Sequence, residues 1–115
     1  MSAQAHGEMA TPAPGDPVSE QVELIAADGA GSALEEAVAQ AVPLFLGSKG
    51  CRSLRLQESV ETPGHYRMTI VWETLDDHLV GFRTSDAFGR WRELVTPHLA
   101  EPPRVEHFST CLDAD

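Results

Sequence analysis

His78 is the residue of this chain best suited to chemistry. A side chain that titrates near neutral pH can take a phenolic proton and leave an electron-rich anion able to react with dioxygen. The competing reading is a histidine that caps or packs on a helix surface. Trp72, shortly before it, can stack on a planar ligand, although a strand stripe of large apolar residues is more often core. Arg83 and Arg92 carry fixed donor forks that suit an anionic or quinone oxygen, or they pair with helix-surface acids. Phe82, Phe88 and Trp91 read first as filling between helix and sheet and second as a pocket wall. His107 alternates with Glu106 and Phe108 and faces either a pocket or an interface, whereas His65 and His98 sit near turns and receive no role. No His, Cys or carboxylate set has metal-ligand spacing, and the scattered glycines make no phosphate loop or dinucleotide fingerprint.

These residues need elements to position them. Val22 to Ala26 is a short apolar run, read as the first strand, and Asp28-Gly29-Ala30-Gly31 breaks it. Ser32 and Glu35 have capping-box spacing ahead of a helix whose apolar stripe is Leu34, Ala37, Val38, Ala41, Val42 and Phe45. Pro43 is expected to kink that helix or end its regular part. Alternation predicts a second strand over Cys51 to Ser59 and a third over His65 to Glu73, joined as a hairpin by Thr62-Pro63-Gly64. Thr74 can cap a short helix carrying His78, Ser85 starts a second helical piece, and Val105 to Cys111 is the fourth strand. The order β-α-β-β-α-β is the ferredoxin-like α+β arrangement. It places the second and fourth strands at opposite edges, so Cys51 and Cys111 are expected to be free thiols. Residues 1–19, with three prolines and no bulky aliphatic side chain before Val18, read as a disordered or surface tail ahead of one domain at 20–115.

The bulk numbers narrow the function classes. A chain of 115 residues is one domain. A net charge of −10 argues against general nucleic-acid binding. No apolar run is long enough to span a bilayer and no secretory signal precedes the domain, so the expected setting is cytoplasmic, without membrane attachment. The charge is also uneven: residues 1–48 hold seven acids and no Lys or Arg, and all eight basic residues lie between Lys49 and Arg104.

Trp72-Glu73-Thr74, His78, Gly81-Phe82-Arg83, Ser85, Phe88, Trp91-Arg92, Pro102-Pro103, Val105 and His107-Phe108 together resemble a subgroup of the antibiotic biosynthesis monooxygenase domain family. The resemblance implies a small homodimer whose two sheets face each other in an α/β barrel, with a pocket in each protomer between sheet and helices. Within the family some members are cofactor-independent oxygenases of aromatic polyketides, some cleave haem and others act on small signalling molecules. The oxygenase and haem-cleaving branches typically use an asparagine on the first strand, and this chain has none. The tryptophan and histidine of the haem-cleaving branch fall at Phe82 and Arg92, which argues against haem cleavage.

The reading that combines residues and resemblance is a cofactor-independent monooxygenase acting on an aromatic or electron-rich small molecule. Dioxygen is its co-substrate, with no metal or flavin. His78 is its base, Arg83 or Arg92 steadies the anion, and Trp72, Phe82, Trp91 and His107 complete the substrate site. The alternatives are a non-catalytic ligand-binding or stress-related dimer on the same scaffold, and a non-redox isomerase that uses the same base.

Overall fold

A computed structural model describes residues 16–114 of the chain. Four strands form one antiparallel sheet: β1 (Val18–Ile25), β2 (Cys51–Glu58), β3 (His65–Trp72) and β4 (Arg104–Phe108), in the order β2-β3-β1-β4. Helix α1 (Gly31–Leu46) connects β1 to β2, and helix α2 (Asp86–Val95) lies between β3 and β4. The fold is ferredoxin-like α+β, as the element order predicts. Both helices contribute to the apolar core that covers one face of the sheet.

Alternation decides which residues enter that core, because successive strand side chains point to opposite faces. Val18, Val22 and Leu24 of β1 and Tyr66, Met68, Ile70 and Trp72 of β3 are buried on the inner face, where Leu34, Ala37, Val38, Ala41 and Phe45 of α1 meet them. Trp91 and Val95 of α2 close the layer. Ser19, Gln21 and Glu23 of β1 point the other way, beside Arg67 and Thr69 of β3 and Glu106 and Phe108 of β4, and among the described residues no helix lies over that outer face.

Several local expectations are corrected. β1 begins at Val18, so Val18 and Ser19 belong to the sheet; the rest of the segment read as a tail lies, up to residue 15, outside the described residues. The capping box is not formed: α1 starts at Gly31 with Ala30 at its N-cap and no side-chain cap. Glu35 instead accepts a 2.6 Å hydrogen bond from the Tyr66 hydroxyl of β3, a charge-assisted tie between helix and sheet. Pro43 does not end α1, which runs on to Leu46. The second and third strands each stop one residue short of their predicted ends, and β4 runs from Arg104 to Phe108 and does not reach Cys111. Both cysteines are free, as expected.

The segment after β3 begins as predicted, with Thr74 Oγ1 accepting from the Asp77 N–H at 3.0 Å. It then winds as a π-helical turn over Asp77–Phe82, with the Arg83 N–H bonded to the His78 carbonyl at 3.0 Å. The wider turn places His78 and Phe82 inward together, and π-turns of this kind recur at functional sites. Gly50, just before β2, makes room for it: at φ +83° and with any side-chain carbon set to run into the Asp77 carboxyl, the position admits only glycine.

Candidate functional site

Glu20 is the centre of the site. It occupies an inward position of β1, between Val18 and Val22, and is only 4% exposed. A buried carboxyl without partners is costly, and this one has two donors or acceptors in reach. The Trp72 indole N–H donates to Glu20 Oε1 at 2.9 Å, and His78 Nε2 lies 3.3 Å from Glu20 Oε2. On the far side of the imidazole, His78 Nδ1 and His107 Nε2 are 2.8 Å apart. Trp72, Glu20, His78 and His107 thus form one line of polar contacts from β3 through β1 and the π-turn to β4, hydrogen-bonded at its two ends and joined in the middle by the 3.3 Å Glu20–His78 approach.

His78 is 2% exposed and its ring is held by aromatic neighbours, 5.3 Å from the Trp72 ring and 6.1 Å from Phe82, both near-parallel. Burial raises the Glu20 pKa to about 7, against the opposing pull of the Trp72 hydrogen bond and the Arg83 charge. Burial likewise lowers His78 to about 4, helped by His107 and Arg83, and His107 is lowered by burial and then by Arg83. At neutral pH the Glu20–His78 contact therefore joins a neutral imidazole to a carboxyl near its titration midpoint, and is not an ion pair. A carboxyl displaced by burial and facing a cleft marks a candidate acid–base site.

A cavity of about 350 Å³ opens on this pair, lined by Glu20, Val22, His78, Phe82, Arg83, Phe88, Trp91, Arg92, Pro102, Pro103 and Val105. Its volume is at the small end of the range of ligand pockets. Arg83 and Arg92 stand at its mouth with their guanidinium carbons 5.7 and 5.9 Å from the centre of the Phe88 ring, and neither has an acidic partner among the described residues. Arg90 and Arg104, by contrast, pair with Glu93 and Glu23 on the surface. A larger hollow of about 740 Å³ lies on the outer sheet face between Glu23, Arg67, Arg104 and Phe108, and its charged groups are exposed. The smaller cavity is the candidate site because it alone contains the buried acid–base pair.

Of the residues named from sequence, His78, Phe82, Arg83, Trp91 and Arg92 line this cavity. His107 reaches it through His78. Trp72 is fully buried behind Glu20 and does not line it, which corrects its role from ligand wall to hydrogen-bond donor. Glu20 itself escaped notice because a lone carboxylate before a short apolar run reads as a strand boundary. The Val18-x-Glu20-x-Val22-x-Leu24 alternation was the available signal. Among the described residues no group of three or more His, Cys, Asp or Glu is placed to hold a metal ion, and no helix is long and apolar enough to cross a membrane.

Comparison with known proteins gives consistent results. Residues 17–94 match the family model described as antibiotic biosynthesis monooxygenase. The uncharacterized Bacillus subtilis protein YczJ is 35% identical over 91 residues, covering 79% of this chain and 96% of its own. The crystal structure of a Bordetella bronchiseptica protein described as a "putative antibiotic biosynthesis monooxygenase" superposes with a TM-score of 0.81 at 39% identity, over 84% of this chain and 99% of that one. SnoaB from Streptomyces nogalater, a cofactor-independent oxygenase, shares the fold with a TM-score of 0.75 at 15% identity, over 85% and 96% of the two chains.

Proposed function

The chain belongs to the antibiotic biosynthesis monooxygenase family, and from that premise we propose that it is a cofactor-independent oxygenase of a small aromatic or otherwise electron-rich molecule. The buried Glu20–His78 pair, facing an aromatic-walled cavity with two arginines that have no acidic partner among the described residues, carries the reading. In this chemistry the substrate is its own reductant. The pair removes a proton from a phenol or an activated methylene, and the resulting anion passes an electron to dioxygen. The two radicals combine into a peroxide. Loss of the second proton from that carbon with cleavage of the O–O bond gives a carbonyl and water, so that CH₂ + O₂ becomes C=O + H₂O. Arg83 and Arg92 hold the developing oxyanion, while Phe82, Phe88 and Trp91 pack the ring and keep water out. The fold-level relative SnoaB, a cofactor-independent oxygenase, supports the class of reaction and not the substrate.

The test is oxygen uptake by metal-free protein across hydroquinones, anthrones and other electron-rich phenols, beside His78→Ala. Uptake above background that the variant loses is the expected result. Turnover that persists without oxygen would replace the reading with a non-redox isomerase. Binding without turnover across the panel would replace it with a ligand-binding module.

We also propose that two copies pair through the outer sheet face, where Phe108 is about half exposed among charged neighbours. Light scattering is expected to give twice the 12.4 kDa chain mass; a mass of one chain at every concentration would refute the pairing.

A further inference from the structure

His78 cannot serve as a simple base for a substrate. A neutral imidazole has one N–H and one lone pair, and both ring nitrogens are already engaged, Nε2 with Glu20 and Nδ1 with His107. Glu20 differs: it lines the cavity, and each carboxylate oxygen keeps lone-pair capacity beyond its one protein partner. His107 differs in the other direction, since it is half-buried on the edge strand β4 and its Nδ1 has no protein hydrogen bond among the described residues.

We propose that Glu20, His78 and His107 are a proton wire in which Glu20 exchanges protons with substrate and the two imidazoles connect it to the sheet edge. The inference rests on the oxygenase reading only for the identity of the substrate. The wire itself is a property of three side chains in sequence, at 3.3 and 2.8 Å.

Hydrogen-bond logic allows the line two polarities. With Glu20 ionised, His78 Nε2–H donates to the carboxylate and His107 Nε2–H donates to His78 Nδ1. With Glu20 protonated, its O–H donates to His78 Nε2, and His78 Nδ1–H donates to His107 Nε2. One proton bound at His107 Nδ1 and one appearing on Glu20 convert the first state into the second. Each N–H along the way moves once, and no imidazole becomes cationic in either end state. The reverse shift empties Glu20 after it has taken a proton from substrate. The groups that face the line and set its balance are the Trp72 indole N–H from β3, which favours the carboxylate, Arg83 beyond the π-turn, which favours it too, Arg92 from α2 at the cavity mouth, and Cys51 at the start of β2. Burial of Glu20 opposes the carboxylate and brings the two states near balance around neutral pH.

The experiment needs no substrate. In protein with labelled histidine, the ring carbon and nitrogen shifts report which nitrogen carries the proton. Both His78 and His107 are expected to change together from Nε2–H to Nδ1–H as pH falls, in one step with a shared midpoint near 7, the value of Glu20. Glu20→Gln is expected to abolish the step. Should that variant fail to fold, the labelled Glu20 carboxyl of the native chain must titrate at the same midpoint as the two rings. Tautomers that stay fixed between pH 5 and 9, or that change at different midpoints, would overturn the wire. A failure of oxygen uptake alone would leave it standing and reject only the oxygenase reading.

Discussion

Glu20→Gln is expected to lower turnover by about 10²–10⁴-fold, the usual contribution of a positioned acid–base group. The substitution is close to isosteric. Gln keeps an acceptor for the Trp72 indole N–H and a polar group toward His78, so the loss belongs to proton transfer and not to packing. Substrate affinity is expected to change little, because Arg83, Arg92 and the aromatic wall remain. Stability should move the opposite way. Burial raises the folded Glu20 pKa from 4.5 to about 7, so the folded state binds more protons than the unfolded one between those values. Native stability from this group therefore falls as pH rises through that window and stays reduced above it. Glu20→Gln has no such loss and is expected to match or exceed the native chain in urea midpoint at pH 9, while being far less active. The chain gives up stability to keep an ionisable group in its core, a pattern common at active sites. A variant with activity within a few-fold of the native chain would remove Glu20 from the chemistry. A variant with a lower midpoint at pH 9 would mean that the carboxylate is a structural asset.

The second large effect concerns Trp72. Trp72→Ala is expected to cost about 3–5 kcal/mol, the range for large aromatic residues removed from a packed core, because the ring is fully buried against His78 and Phe82. Trp72→Phe separates packing from hydrogen bonding. It keeps most of the apolar volume and deletes the N–H that Glu20 Oε1 accepts, at about 1–3 kcal/mol for an unsatisfied buried partner. That cost has a pH signature. The indole N–H lowers the Glu20 pKa, so without it the folded carboxyl titrates higher still above its unfolded value of 4.5. At pH 5 the folded carboxyl is already protonated and the loss is at its smallest. As pH rises toward 9 the folded state must hold a carboxylate with one donor fewer, and the loss grows. Denaturant midpoints of the native chain and Trp72→Phe at pH 5 and 9 decide the matter. An equal gap at both values would show that the indole matters only as bulk.

Much of the fold was legible. The Tyr66, Met68, Ile70, Trp72 stripe and the Leu34-to-Phe45 stripe have unambiguous periods of two and of a helix, and they alone specify a sheet with a helix over it. The aromatic and basic residues from His78 to Arg92 were legible as a group because they are close in sequence and fall on short helical segments. Glu20 was not, since what makes it a candidate is burial, and burial of a carboxylate depends on partners that arrive from 52 and 58 residues away, Trp72 and His78. The failed capping box shows the same competition. Ser32 and Glu35 satisfy a local rule, but the Tyr66 hydroxyl, brought over by the sheet, is the stronger claimant for the Glu35 carboxylate.

The π-helical turn at Asp77–Phe82 has a consequence for how kinship is traced through this stretch. A π-turn is an α-turn that has gained one residue. A relative that lacks the extra residue is shorter by one between its third strand and its second helix. Matched without a gap, its positions slide out of phase with His78, Phe82 and Arg83, and an inward residue is set against an outward one. Matching this stretch to a relative that winds it as an ordinary α-turn therefore needs a one-residue gap before His78, Phe82 and Arg83 can be set against their counterparts.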